Sequence, residues 1–270
     1  MECCALPYIY KKSMRSIVSK DAGSINEEGS GKKGLAGLLE NVLRKGQYVG
    51  FFLFVLPIAL MYVIAIGFAV FPGLLIWQYL VSMAQSPIEY ALFGSIALGF
   101  GFFIGIFALC VIVPILNFPL IFFVKPYRGP WLALETVAWY YHNALFYLVR
   151  YTVLDLVTPS PISQLFLMAM GMKMGRGSMV NTSNISDPCL IRLGDYVTVG
   201  GSAFMMAHYA QKGYVVIAPM TIGDKSTVGL NSILMGGVEV GKKVSIAPNA
   251  TVLPKTKIPD DTKYGYEGLK

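Results

Sequence analysis

The sequence has little charge. Of its 270 residues, only 14% are Asp, Glu, Lys or Arg, whereas a soluble globular domain has about 25%. Hydrophobic residues make up 55% of the chain. This composition excludes an ordinary soluble domain and indicates a membrane protein with a polar part.

Cysteine and histidine are also scarce. The cysteines are Cys3, Cys4, Cys110 and Cys189. Their spacing fits neither a metal site nor a disulfide framework, which is consistent with a reducing cytoplasm. We interpret Cys3 and Cys4 as free thiols, although acylation is the alternative. The two histidines, His142 and His208, are too few for a three-histidine metal centre, so we predict no metal.

Residues 48–124 contain almost no polar side chain. Two apolar runs, Tyr48–Val81 and Ile88–Val124, each exceed the ~20 residues that cross a bilayer. We predict a transmembrane hairpin of two long kinked helices; four short spans would need polar loops that the sequence does not have. The block has one ionisable acid, Glu89, at its connector, which argues against a transport pore.

Basic residues lie on both sides of this block and are absent from its connector. The flanking residues are Lys11, Lys12, Arg15, Lys20, Lys32, Lys33, Arg44, Lys45, Lys125 and Arg128. By the positive-inside rule, both ends of the block are cytoplasmic. We therefore predict a basic cytoplasmic tail at 1–47, insertion in the inner or plasma membrane, and a cytoplasmic C-terminal domain.

The segment 125–160 is predicted to be a juxtamembrane turn followed by an aromatic helix at the membrane surface. The turn has the sequence KPYRGP, and the helix extends over Trp131–Leu156. Tyr and Trp prefer the membrane–water boundary, so we place this helix and His142 at the interface. A third transmembrane span is the competing interpretation.

The C-terminal segment 161–270 has a six-residue period. The apolar series is Val216, Ile222, Val228, Leu234, Val240, Ile246, Val252 and Ile258. This period fits neither an α-helix nor an alternating strand, and it predicts a parallel β-helix built from hexapeptides. At about 18 residues per coil, the region from Met174 makes about five coils.

The period breaks between Phe204 and Tyr214, and His208 lies in the break. A histidine is the natural general base for a hydroxyl or amine that attacks a thioester. His208 is our candidate catalytic residue, and a loop histidine that only hydrogen-bonds backbone is the alternative.

On several segments the chain resembles a known family. These are Met170–Gly175, Ile185–Leu190, Leu193–Asp195, His208 and the run from Thr221 to Gly241. Here the chain resembles the hexapeptide-repeat acyltransferases with a left-handed β-helix. Its layout is similar to the membrane-linked C-terminal region of nonribosomal peptide synthetases of the polylysine-synthetase type and their stand-alone relatives.

The resemblance implies a homotrimer with active sites in the clefts between neighbouring prisms. It also implies acyl-CoA, most simply acetyl-CoA, as co-substrate, no permanently bound cofactor, and a loop histidine as base, a role that only His208 fits. A single stiff prism has no pocket, so a site in a cleft is physically sensible.

Seven residues are candidates for binding the acyl donor. They are Asn231, Ser232, Gly236, Gly237, Lys242, Lys243 and Lys255. The first four offer backbone donors and close approach to a pantetheine arm. The lysines could meet CoA phosphates as point charges, or they belong to a solvated face. The C-terminal Tyr264–Gly268 lacks the Pro-Ala of the family's closing element.

The sequence thus predicts an α-helical membrane hairpin followed by an all-β left-handed β-helix. We expect a membrane-anchored acyltransferase that acts on a hydroxyl or amine of a membrane lipid or lipid-linked acceptor. The alternative is a non-catalytic trimeric scaffold or docking module for a membrane biosynthetic complex. We expect no nucleic-acid partner.

Overall fold

The structure is a computed structural model that describes residues 30–45 and 47–266. Cys3, Cys4 and most of the predicted basic tail lie outside the described residues, as does the C-terminal element from Glu267 onward.

Three helices come first in the described chain. They are α1 (Gly34–Lys45), α2 (Gln47–Ser82) and α3 (Pro87–Ile121). The Ser86 side chain accepts a hydrogen bond from the Glu89 N–H and begins α3. Two stretches, Val55–Ser82 and Pro87–Ile121, are long and apolar enough to cross a membrane.

Helices α2 and α3 approach each other closely at glycines. A Cβ added to Gly73 would lie 2.9 Å from the Cα of Gly101, and one added to Gly105 would lie 3.5 Å from the carbonyl oxygen of Ala69. Larger residues at Gly73 or Gly101 would push the two backbones apart. The Gly101–Gly105 spacing therefore has a packing role within the hairpin.

A strand and three helices connect α3 to the β-helix. They are β1 (Tyr127–Gly129), α4 (Leu134–Val149), α5 (Asp155–Val157) and α6 (Pro161–Ala169), with a π-helical turn at Arg150–Leu154. The buried residues of α4 are Thr136, Trp139, His142, Asn143, Leu145, Phe146, Leu148 and Val149. The aromatic segment therefore has a side that packs on protein, against α3 and the first β-coil.

The C-terminal region winds through three parallel sheets of short strands. Sheet 1 contains β2 (Lys173–Met174), β5 (Ile191–Leu193), β10 (Met220–Ile222), β13 (Glu239–Val240) and β16 (Lys257–Ile258). Sheet 2 contains β3 (Met179–Val180), β6 (Thr198–Val199), β11 (Thr227–Val228), β14 (Ser245–Ile246) and β17 (Lys263–Tyr264). Sheet 3 contains β4 (Ile185–Ser186), β7 (Phe204–Met206), β12 (Ile233–Leu234) and β15 (Thr251–Val252).

These sheets form four complete coils and two sides of a fifth, as the six-residue period predicts. Val228 pairs with Ile246, and Leu234 pairs with Val252, so that the partners in each pair are three hexapeptides apart in the chain. The inward side chains are buried and form one continuous core. The fold is the left-handed parallel β-helix, and both the predicted fold class and the approximate number of coils are confirmed.

The second coil contains an insertion. Ile222 pairs with Val240 one regular coil later, but its partner in the preceding coil is the more distant Leu193. The excess chain forms an antiparallel hairpin of β8 (His208–Gln211) and β9 (Tyr214–Ile217). Val216 therefore lies in this hairpin and not in the prism, so its place in the predicted apolar series was wrong. The inward series of the regular coils starts at Ile222.

The hairpin is tied to the segment that leaves the apolar helices. Strand β1 pairs antiparallel with β9, so that Arg128 lies opposite Val216 and Tyr127 lies opposite Ile217. The result is a three-stranded sheet in the order β1-β9-β8. The backbone that carries His208 is thus two strands away from the chain that follows α3.

Candidate active site

One longitudinal edge of the prism, where sheet 3 leads into sheet 1, carries the hairpin with His208 and three of the predicted donor-binding residues. In successive coils it contains Asp187, the base of the hairpin at Ala207 and Ala218, the pair Gly236 and Gly237, and Lys255. Backbone hydrogen bonds connect these levels: the Gly237 N–H donates to the Ala218 carbonyl at 3.1 Å, and the Lys255 N–H donates to the Gly236 carbonyl at 3.1 Å. We call this edge the hairpin edge.

His208 is paired with a buried carboxylate at the top of the hairpin edge. Its Nδ1 lies 2.7 Å from Oδ2 of Asp187, whose side chain is fully buried, whereas 21% of the His208 side chain is exposed. The same Oδ2 accepts a hydrogen bond from the Ala207 N–H at 3.0 Å. The backbone at the start of the hairpin and the imidazole are therefore fixed by one oxygen.

The other oxygen of Asp187 is held by helix α4. Its Oδ1 accepts hydrogen bonds from Trp139 Nε1 at 2.6 Å and from Asn143 Nδ2 at 2.7 Å. The Asp187 N–H donates to Asn143 Oδ1 at 3.2 Å. The Trp139 ring also packs edge-on against the His208 ring, with centroids 5.0 Å apart. Helix α4 thus positions both members of the pair.

These contacts keep Asp187 ionised. Burial alone would raise its pKa, but the hydrogen bond and positive charge of His208, together with the Asn143 and Trp139 donors, hold the pKa of this carboxyl below its ordinary value. An ionised carboxylate beside Nδ1 favours the tautomer in which Nδ1 carries the proton. The lone pair of neutral His208 then lies on Nε2, the arrangement that a general base requires.

A second set of contacts from the end of α4 holds the strand before Asp187. Arg150 donates to the Ile185 carbonyl at 3.3 Å and to Asn184 Oδ1 at 3.0 Å, and the Tyr147 and Ser186 hydroxyls are 2.7 Å apart. Asp187 belongs to the first coil, so in the described chain no earlier coil lies next to it to pair with its backbone. Side chains of α4 supply what the backbone of a preceding coil supplies elsewhere in the prism.

His142 of α4 is fully buried against α3. Its Nδ1 lies 2.9 Å from Oδ1 of Asn117 in α3. Burial lowers the pKa of His142 to about 4, even though the Asp187 charge acts in the opposite direction. His142 is therefore neutral near pH 7 and joins α4 to α3.

Of the residues predicted to bind the donor, Gly236, Gly237 and Lys255 share the hairpin edge with His208. A Cβ added to Gly236 would lie 3.0 Å from the backbone nitrogen of His208. The third coil therefore approaches the base of the hairpin so closely that a side chain at this position would press on its backbone.

The remaining predicted donor residues lie on the two other edges. Ser232 is fully buried and its hydroxyl donates to the Gly229 carbonyl, so it has no surface to offer a ligand. Asn231 donates to Asn249 Oδ1 at 2.8 Å. These two residues are part of a turn between sheets 2 and 3.

Lys242 and Lys243 lie between sheets 1 and 2 and face acidic residues. Lys242 Nζ is 2.9 Å from Asp224 Oδ2, and Lys243 Nζ is 3.8 Å from Asp261 Oδ1. This arrangement agrees with the solvated face that the sequence left open. Within the part of the chain that the structure describes, no group of three or more His, Cys, Asp or Glu side chains could hold a metal ion.

Sequence reasoning missed Asp187, Trp139 and Asn143. The only signal for Asp187 is that Asp187-Pro188 interrupts the six-residue spacing between Val180 and Leu193. Trp139 and Asn143 are 48 and 44 residues away from Asp187 in the chain, and no local pattern connects such distant positions.

Comparison of the sequence with known proteins gives short matches. No family profile matches the chain. Two curated relatives, both bifunctional protein GlmU from strains of Synechococcus, are 28% and 29% identical over 85 residues. The match covers 32% of this chain and spans 13% of the length of those relatives.

Comparison with solved structures gives low similarity scores. A hexapeptide-repeat-containing acetyltransferase from Vibrio cholerae is 13% identical, with a TM-score of 0.33 over 47% of this chain and 88% of the other. Serine acetyltransferase from Neisseria gonorrhoeae is 15% identical, with a TM-score of 0.29 over 70% of this chain and 73% of the other.

Proposed function

We propose that the protein is a membrane-anchored acyltransferase that moves an acyl group, most simply acetyl, from CoA to a hydroxyl or amine. The observation that carries this proposal is the 2.7 Å contact between His208 and the fully buried Asp187. A buried carboxylate that orients an imidazole through Nδ1 is the arrangement that makes Nε2 a base.

In the proposed reaction, the acceptor O–H or N–H gives its proton to His208 Nε2 while its oxygen or nitrogen attacks the thioester carbonyl carbon. The new C–O or C–N bond forms, and the C–S bond breaks as the tetrahedral intermediate collapses. The imidazolium returns its proton to the leaving thiolate, which departs as free CoA. Asp187 stabilises the imidazolium in between, because its carboxylate stays ionised.

Membrane attachment is supported by the two apolar helices. Their side chains point outward over most of both helices and include Leu60, Val63, Phe68, Leu98, Phe103 and Ile115. Strand β1 brings the chain from α3 directly to the hairpin. An acceptor that resides in the membrane, a lipid or lipid-linked molecule, is therefore the proposed substrate class.

Assembly as a homotrimer is supported by unequal outer faces of the prism. Sheet 1 presents polar side chains such as Arg192, Thr221 and Glu239. Sheet 3 and the corners on either side of it instead expose Leu230, Ile233 and Leu253. Such an apolar face needs a partner, and in a trimer it would close a cleft beside the hairpin edge.

The test is acyl transfer by the full chain, purified in detergent and supplied with acetyl-CoA and a membrane lipid extract. Release of free thiol and incorporation of labelled acetyl into the extract are both measured. We expect His208→Ala to reduce both rates by about 10²–10⁴-fold. Gln211→Ala, an exposed change in the same hairpin, is the matched control and should retain the wild-type rate. Equal rates for His208→Ala and wild type would instead support the non-catalytic scaffold.

A further inference from the structure

Arg128 occupies an unusual position close to the end of the second apolar helix. It follows Ile121, the last residue of α3, after a short connection that spans at most about 25 Å. Strand β1 fixes its backbone opposite Val216 of the hairpin. A rigid sheet therefore holds this arginine next to the point where the chain leaves the apolar helices.

The guanidinium of Arg128 has an unsatisfied donor. Its Nε is buried and has no hydrogen-bond partner in the part of the chain that the structure describes. The guanidinium lies over the Tyr214 ring, 5.5 Å from its centroid. A ring face attracts the cation but does not replace an acceptor for the N–H groups. A buried charged donor without an acceptor is costly, so an acceptor from outside the chain would stabilise this arrangement.

A second cation, Lys255, lies at the lower end of the hairpin edge, on the side where the chain of β9 continues to Ala218. Its side chain passes Gly237, where an added Cβ would lie 2.9 Å from Lys255 Cγ and 3.4 Å from the Ala218 Cβ. Burial and then the positive charge of Arg128 lower the pKa of Lys255 below its ordinary value. The positive charge of Arg128 thus acts on Lys255.

Three lysines of the other edges and faces, unlike this pair, have a carboxylate partner. Lys242, Lys243 and Lys257 each lie within 4 Å of a carboxylate, on Asp224, Asp261 and Glu239 respectively. No ion pair joins Arg128 or Lys255 to any acidic residue among residues 30–45 and 47–266. The charge that would balance these two cations is therefore missing from the described chain.

We propose that Arg128 and Lys255 form a binding site for the phosphate of a membrane-resident lipid or lipid-linked acceptor. The planar guanidinium can donate two parallel hydrogen bonds to phosphate oxygens, and the ammonium supplies a second point charge. Basic residues directly beside a membrane helix are a common arrangement for binding anionic headgroups.

The location favours a lipid phosphate over a phosphate of CoA. Arg128 belongs to the strand that leaves the membrane helices, and the same side of that sheet carries the apolar cluster of Tyr209, Val216 and Ala218 with Met235. Since strands are about 4.8 Å apart, Arg128 lies roughly 10 Å from the strand that carries His208. The proposal rests on the membrane attachment in the proposed function and reassigns Lys255 from the acyl donor to the acceptor side.

The test measures ligand binding to the full chain in detergent by native mass spectrometry. The probes are dioleoyl phosphatidate, dioleoylglycerol, which lacks the phosphate, and CoA. We expect Arg128→Gln and Lys255→Gln each to weaken phosphatidate binding by about tenfold or more. Dioleoylglycerol and CoA binding should change by less than about twofold in both variants, because neither is proposed to use this phosphate site.

Two charge-matched controls separate a site from a general effect of net charge. Arg192→Gln and Lys257→Gln remove the same charges from exposed positions of sheet 1 and should leave phosphatidate binding unchanged. Arg128→Lys retains the charge without the planar fork, and its affinity should fall between wild type and Arg128→Gln. This variant keeps the proposal testable if Arg128→Gln does not fold.

Unchanged phosphatidate affinity in Arg128→Gln and Lys255→Gln would overturn the proposal. An equal loss of affinity in the two control variants would also overturn it, and so would a loss of CoA affinity as large as that for phosphatidate. Because the readout is binding, it does not depend on acyl transfer. A chain with no transferase activity can therefore still confirm the phosphate site, and an active one can still refute it.

Discussion

The regular coils from Met220 to Tyr264 and the first two coils from Lys173 to Ile217 are built in different ways. In the regular coils, each strand pairs with the strand three hexapeptides further on, and inward Val, Ile and Leu side chains fill the prism. In the first two coils the spacing is uneven, because Leu193 pairs with the nearby Met174 on one side and with the distant Ile222 on the other. Helix α4 supplies side-chain hydrogen bonds there, to Asp187 and to the strand before it.

The regular coils therefore contribute stability, whereas the irregular coils carry the residues of the proposed active site. A repeating coil satisfies its own backbone and presents the same corner each time, so it offers few places for a reactive group. The irregular coils bring together residues from α4, the first coil and the hairpin, and they bury a carboxylate that only distant donors can stabilise. The proposed active site is therefore located where the repeat fails and helix α4 compensates for it.

The largest expected effect comes from Asp187→Asn. The amide has one acceptor oxygen instead of two, so its NH₂ group must face either the Trp139 and Asn143 donors or the Ala207 N–H and His208. The negative charge is also lost, so the imidazole loses its favoured tautomer. We expect acyl transfer to fall by about 10²–10⁴-fold, with substrate binding less affected. Initial rates over a range of acceptor concentrations check this, and a rate within a factor of two of wild type would contradict it.

A substitution in the regular coils should lower stability and leave the acyl-transfer rate almost unchanged. Leu234→Ala removes a fully buried side chain from the prism and should lower the free energy of unfolding by about 2–5 kcal/mol. The folded fraction should transfer acyl groups at nearly the wild-type rate. Chemical denaturation followed by circular dichroism, with activity normalised to folded protein, measures both quantities. A loss of normalised activity would show that the two regions are not separable.

Helix α4 is tested by Asn143→Leu. The change removes the donor to Asp187 Oδ1 and the acceptor of the Asp187 N–H, and we expect transfer to drop by about 10–100-fold.

Gln164→Leu is the matched control for Asn143→Leu. Like Asn143, Gln164 of α6 both donates and accepts: its Nε2 donates to the Val180 carbonyl and its Oε1 accepts from the Val180 N–H. Val180 lies in sheet 2, away from the hairpin edge. The control change should lower thermal stability without lowering the rate per folded molecule. Equal rate losses in both variants would mean that α4 acts only through stability.

Asp187 also predicts how stability depends on pH. Since its pKa in the folded state lies below the ordinary value of 3.8, it contributes stability that is fully present above that value and is lost as the pH falls through the folded-state pKa. The stability difference between wild type and Asp187→Asn should thus shrink as the pH falls below about 4. Unfolding midpoints across this range provide the measurement. A difference that persists unchanged at pH 3 would contradict this assignment.

The smallest effect is expected for Lys257→Gln. Its ion pair with Glu239 spans two exposed side chains on sheet 1, and such surface pairs contribute about 0–1 kcal/mol. Neither the unfolding midpoint nor the transfer rate should change measurably, and a clear drop in rate would place sheet 1 in the active site.

The regular coils could be predicted from the sequence because their cause is local. Each inward residue from Ile222 to Ile258 follows from a spacing of six, and the break that contains His208 follows from its absence. The same spacing misplaced Val216, because this residue of the hairpin strand β9 happens to lie six residues before Ile222. A period identifies the coil but does not say which residue starts it.

The partners of His208 could not be predicted, because they depend on long-range packing. Trp139 and Asn143 are typical of both a membrane-surface helix and a protein-facing one, and composition does not distinguish the two. The buried position of His142 against Asn117 was missed for the same reason. Only the folded arrangement of α3, α4 and the first coil shows that the aromatic segment holds Asp187.

The tautomer of His208 provides the most direct test of the account. The chain has only two histidines, so ¹⁵N-histidine NMR of the full chain in detergent can resolve both, with His208→Gln used for assignment. We predict that neutral His208 carries its proton on Nδ1 and leaves Nε2 unprotonated, and that Asp187→Asn abolishes this preference. A protonated Nε2 in the neutral wild-type protein would contradict the proposed general base.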